Sequence, residues 1–156
     1  MTFKIGSPSS KYGDTISQKF TCDGPDISPE IAWEESPAST KSFVLIMEDP
    51  DAPRGTFVHW IIYNIKPDVK GLAENIPKVE LTPQGYAQGV NDFGRIGYGG
   101  PCPPRRRVHR YFFHLYAILE PPIMKPGLSR EELSGVLKDK TVKVASYMVR
   151  YGRSYE

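Results

Sequence analysis

Two aspartates and two of the three histidines stand where they could meet and handle charge. Asp49-Pro50-Asp51-Ala52-Pro53 puts two carboxylates on a turn, because Asp-Pro pairs initiate turns. His59 follows that turn, and His109-Arg110-Tyr111 brings a second imidazole beside a phenol. A carboxylate next to an imidazole fixes its tautomer and favours its charged form. Two such rings, the Tyr111 hydroxyl and backbone N–H groups near Gly99 and Gly100 would form a polar cup for phosphate or carboxylate. The same side chains could instead ligate a divalent cation or carry out acid–base catalysis.

Plainer readings stand beside these. Asp49 and Asp51 could merely cap their turn, Tyr111 could be core, and His114 reads as a core histidine. Arg105-Arg106-Arg107 reads as a solvated loop tip; its functional reading is a collar drawing anions toward His109. Cys102, seven residues before His109, makes a Cys–His nucleophile conceivable. Yet it sits between prolines, with no thiolate-stabilising setting. No Gly-x-Ser-x-Gly elbow and no Gly-Lys-Ser/Thr phosphate loop is present. The reading is therefore a site without a reaction: not an enzyme, with no metal and no cofactor.

The elements that must carry these groups are short β-rich runs separated by Pro/Gly clusters, the pattern of an all-β sandwich or barrel. Phe43-Val44-Leu45-Ile46-Met47 is continuously apolar, so it reads as a central strand covered on both faces. Phe57 to Ile65 and Arg110 to Leu119 are the next two strands. Alternation puts His109 and Tyr111 on one face of the third strand and His114 on the other. It groups His59 with Phe57, Ile61 and Tyr63. The stretch from Asn91 to Pro104 is read as an ordered functional loop. Ser129-Arg130-Glu131-Glu132 is a capping box opening a short helix to about Lys138. Thr141 to Tyr151 reads as a final strand with Val142, Val144 and Met148 in the core.

At 156 residues the chain, 1–156, fits one domain. Lys and Arg (20) barely exceed Asp and Glu (18), so no broad basic face for nucleic acid or membrane is expected. No apolar run is long enough to span a bilayer. The N-terminus lacks a signal-peptide pattern, and the expected location is cytoplasmic; a mature chain with its signal removed would read the same. In a cytoplasmic chain Cys22 and Cys102 are expected as free thiols, with a disulfide between them as the alternative.

In order along the chain, Asp49-Pro50-Asp51-Ala52-Pro53, His59-Trp60, Gly100-Pro101 and His109-Arg110-Tyr111 resemble the two signature blocks of the phosphatidylethanolamine-binding protein family. Thr21-Cys22-Asp23-Gly24, Ser28-Pro29 and Gly-Pro-Cys-Pro-Pro resemble its bacterial and archaeal branch, often labelled Raf kinase inhibitor-like. The resemblance runs from about Phe20 to Arg153. It implies a mostly β fold, a large central antiparallel sheet packed on a smaller sheet with one or two short helices. It implies a pocket at one end made by Asp49, His59, Gly100, Pro101, His109 and Tyr111, with Asp51 in support. It further implies a non-catalytic binding or regulatory protein that takes a small anion (phosphate, a phosphoethanolamine-like headgroup or carboxylate). A protein partner such as a protease or kinase, and a homodimer, are further implications. The alternative function is a serine-protease inhibitor acting through a surface loop. The sequence ends at Tyr151-Gly152-Arg153-Ser154-Tyr155-Glu156, without the longer helical extension of mammalian members, which weakens the analogy to their lid behaviour and kinase partners.

Overall fold

The long apolar run becomes the middle of a five-stranded antiparallel sheet. In the computed structural model, which describes residues 2–153, the strands are β1 (Lys4–Gly6), β2 (Ile31–Glu34), β3 (Ser42–Asp49), β4 (Phe57–Ile65), β5 (Gly71–Leu72), β6 (Ala87–Gln88), β7 (Val108–Ile118) and β8 (Thr141–Gly152). The large sheet has the order β6-β4-β3-β7-β8 and the small one β1-β2-β5. β3 is thus covered on both faces. Phe43, Leu45 and Met47 join the main core between the sheets, and Val44 and Ile46 join a second core. Each such side chain, fully buried, contributes about 1.5–3 kcal/mol.

The second core lies under the only α-helix among the described residues, α1 (Arg130–Lys140), which buries Leu133 and Leu137 there. The capping box at its start is present in both directions: the Ser129 hydroxyl accepts from the Glu132 N–H, and the Glu132 carboxylate accepts from the Ser129 N–H. A 3-10 turn spans Gln18–Phe20. No helix among the described residues is long and apolar enough to cross a membrane.

Two expectations fail here. Val142 and Val144 are exposed, each at 42%. β8 is the outer strand of the large sheet, and its other parity set, Ala145, Tyr147, Val149 and Tyr151, faces the main core; of the predicted three only Met148 is buried. The cysteines are not free: Cys22 and Cys102 form a disulfide across 80 residues of chain. The short strands β1, β2, β5 and β6 carry too few residues for alternation to reveal them. The close of the sequence, residues 154–156, lies outside the described residues.

Candidate functional site

β7 runs without interruption through residues 108–115, so alternation holds there. His109 and Tyr111 are buried on the main-core side, and Arg110 is exposed on the other. His114 is half-buried on that outer face, bonded to the Ser146 hydroxyl at 2.6 Å and 3.4 Å from Glu48.

β4 behaves differently. Met47 pairs with Trp60 and Glu48 with Val58, so two steps on β4 match one on β3 and His59 is the bulged residue. A bulge puts neighbouring side chains on the same side and is common beside functional sites. Val58 therefore joins Ile61 and Tyr63 in the second core. His59 turns instead to Tyr111, at 5.3 Å between ring centroids. The predicted grouping of His59 with Ile61 and Tyr63 is wrong for this reason; its contact with Phe57, at 5.0 Å, is real.

Asp49, His59, His109 and Tyr111 line one cavity of about 250 Å³ at the end of the large sheet. Each imidazole is held at Nδ1. His109 Nδ1 donates to Asp49 Oδ2 at 2.7 Å. His59 Nδ1 donates to the Gly99 carbonyl at 2.6 Å; that oxygen only accepts, so the proton sits on Nδ1. In both rings Nε2 is the nitrogen left for an occupant. Burial, partly offset by the Gly99 carbonyl, holds the His59 imidazole below its ordinary value. Burial, with Asp49 and Asp51 nearby, pushes the Tyr111 hydroxyl far up, so it stays a neutral donor.

The turn holding the carboxylates divides their work. Asp49 Oδ1 accepts from the Asp51 N–H at 2.7 Å, so Asp49 both caps its turn and grips His109. Asp51 points away from the cavity to Arg110, accepting from Nε at 2.9 Å, Nη2 at 2.8 Å and the backbone N–H at 2.9 Å. The guanidinium lowers the Asp51 carboxyl to about 2. The expectation that the aspartates tune His59 holds only at a distance: the Asp49 charge favours the protonated His59 ring, but the direct partner of Asp49 is His109.

Gly100 and Pro101 do not line this cavity. The Gly100 N–H donates to Asp26 Oδ1 at 2.8 Å, and the Gly99 N–H to the His59 carbonyl at 2.9 Å. Neither is available to an anion, contrary to the reading of this loop as a source of open donors. The Pro101 carbonyl accepts from Cys22 N–H. A Cβ on Gly100 would come within 2.1 Å of the Phe20 carbonyl and 2.4 Å of Asp26 Oδ1, so the backbone there tolerates only glycine. Phe57, which alternation groups with His59, is also in the wall; Phe93, Pro103 and Pro104, which periodicity did not find, join it. The only hint was the aromatic and proline content of the 91–104 loop. Because Cys102 is disulfide-bonded, it has no thiol to serve as a nucleophile toward His109. No group of three or more His, Cys, Asp or Glu among the described residues is placed to hold a metal ion.

Against known proteins, residues 6–152 match the sequence profile of the family described as Phosphatidylethanolamine-binding protein. The chain belongs to the phosphatidylethanolamine-binding protein family. Its bacterial and archaeal relatives include the UPF0098 protein of Aquifex aeolicus, 49% identical over 96% of this chain and 88% of the relative. Another, from Pyrococcus horikoshii, is 45% identical over 98% of this chain and 78% of the relative. Among solved structures, a putative phosphatidylethanolamine-binding protein homolog from Chlamydia trachomatis superposes with a TM-score of 0.88 at 35% identity, over 98% of this chain and 99% of the other. YbcL of E. coli, described as a member of the mammalian phosphatidylethanolamine-binding protein family, superposes with a TM-score of 0.89 at 30% identity, over 97% and 99% of the two chains. The two-sheet architecture is thus the family's own.

Proposed function

We propose that this family member is a non-catalytic binding protein whose 250 Å³ cavity receives the phosphate or carboxylate of a larger ligand. The observation that carries this reading is the pair of imidazoles on one cavity, each anchored at Nδ1 and each keeping Nε2 for an occupant. With both Nε2 atoms protonated and the Tyr111 hydroxyl beside them, an anion meets three donors. The site is poor in the parts of a reaction: its cysteine is oxidised and its tyrosine is far from deprotonation.

Magnitudes limit the cavity's reach. Three charge-assisted hydrogen bonds give about 5–9 kcal/mol gross, and association costs at least about 4 kcal/mol. A bare phosphate should therefore bind at about millimolar concentration. Histidine ring NMR with phosphate and phosphoethanolamine tests the assignment. His59 and His109 should shift while His114 stays still, and His59→Ala or His109→Ala should abolish binding. Shifts confined to His114 would sink it.

A further inference from the structure

A second cavity, of about 450 Å³, lies against the first, and Phe93 and Cys102 line both. Gly99 lines the second cavity. Its carbonyl holds His59, and a Cβ at this position would come 2.6 Å from the Phe93 ring. Phe93 in turn packs edge-on against Phe57 at 4.8 Å and His59 at 5.4 Å. The ring at the boundary therefore belongs to the same aromatic cluster as the anion site, yet it is 41% exposed.

The second cavity has apolar walls from Ile96 and Tyr98, and its inner polar groups are already committed. The Tyr98 hydroxyl donates to the Phe20 carbonyl, Asp26 accepts from the Gly100 N–H, and the Asn91 amide holds its own loop. Two cations remain. Lys78 donates to the Asp26 carbonyl at 2.9 Å and stands 3.9 Å from its carboxylate. Arg95 is exposed on the cavity's lining. It makes no ion pair with any carboxylate among the described residues. A guanidinium without a counter-ion, beside an exposed ring and next to an anion site, is suited to a second acidic group.

We propose that the two cavities form one bipartite site for a two-headed anion with a flat apolar middle. One head, phosphate or carboxylate, sits between His59 and His109; the flat middle covers Phe93; a second carboxylate meets Arg95. This rests on the anion reading of the first cavity and supplies the affinity that cavity lacks. Covering an exposed aromatic ring adds hydrophobic and stacking energy. A carboxylate paired with the exposed Arg95 guanidinium adds a smaller increment.

Calorimetric titration with inorganic phosphate, phenyl phosphate, and 3- and 4-carboxyphenyl phosphate tests it. Phenyl phosphate should bind more tightly than phosphate, and at least one carboxyphenyl phosphate should gain a further factor of about two to five. Arg95→Gln should remove that last factor and leave phosphate and phenyl phosphate within about twofold, with an unchanged melting temperature confirming the fold. If neither carboxyphenyl phosphate binds more tightly than phenyl phosphate, or Arg95→Gln keeps the gain, the bipartite site is wrong while the first cavity stands. If inorganic phosphate leaves the His59 and His109 rings unmoved, both readings fall together.

Discussion

His59 and Gly99 bond each other twice: the Gly99 N–H donates to the His59 carbonyl at 2.9 Å, and His59 Nδ1 donates to the Gly99 carbonyl at 2.6 Å. The bulged residue of β4 is thereby tied, backbone and ring, to the glycine segment of the long loop. This coupling fixes the tautomer of His59 without a carboxylate. Burial opposes charging of the ring, while the Gly99 carbonyl and the Asp49 and Asp26 carboxylates favour it.

A pH dependence follows from that. Burial holds the His59 imidazole below its ordinary 6.5, so between the folded value and 6.5 the unfolded chain binds more protons there. The ring's contribution to stability is complete above pH about 6.5 and is lost as pH falls toward the folded value. Phosphate, which needs the Nε2 proton, should offset that loss, and its binding should take up a proton and weaken as pH rises. Melting temperatures measured with and without phosphate across mildly acidic to mildly alkaline pH check this. His59→Gln should flatten both trends; unchanged slopes would remove His59 from the account.

The two aspartates should separate cleanly. Asp49→Ala leaves the buried His109 Nδ1 without its acceptor, and losing a buried partner costs about 1–3 kcal/mol. It should also weaken phosphate binding tenfold or more. Asp51→Ala breaks a pair with an exposed arginine, so its effect on the melting temperature should be smaller. Phosphate affinity should then stay within about twofold. Because the Asp51 carboxyl is lowered from 3.8 to about 2, its contribution is present above pH 3.8 and is lost as pH falls through about 2. Denaturation and phosphate titration of the two variants give the comparison; equal losses would contradict the division of labour.

The Cys22–Cys102 bridge should be needed for the cavity wall. It closes a long loop and joins the Thr21–Gly24 turn to the Pro103–Pro104 segment beside His109. Removing a native disulfide commonly costs about 2–5 kcal/mol. Cys102→Ser should lower the melting temperature and broaden the resonances of the residues lining the cavity. Thiol titration of the unfolded, unreduced protein should find no free thiol.

Gly100→Ala should be more destabilising than Asp51→Ala. Its Cβ would strike the Phe20 carbonyl and the Asp26 carboxylate that holds the Gly100 N–H. Both neighbours belong to packed loops, so a loss of at least about 2 kcal/mol is expected. A melting temperature equal to the parent's would show that the 20–26 segment yields freely.

How much was legible in the sequence depends on whether a rule is local. β7 follows strict alternation at the site, so the shared face of His109 and Tyr111, and the exclusion of His114, could be read directly. The apolar run of β3 announced a strand buried on both faces, and the capping box announced α1. The motifs in order announced the family. β4 broke the same alternation rule, because an unpaired residue reverses parity and nothing in Phe57–Ile65 marks where its two register shifts against β3 fall.

The sequence by itself therefore determined the strands that carry the chemistry, the residue types available and the family. The tertiary structure decided which groups meet. It gave Asp49 to His109 and Asp51 to Arg110, and gave the Gly99 and Gly100 N–H groups to His59 and Asp26. It also brought Cys22 to Cys102 and set Phe93 between two cavities. These pairings join residues far apart in the chain. They arise from the packing of loops against a sheet end, where each buried donor and acceptor must find a partner and no sequence period records which one.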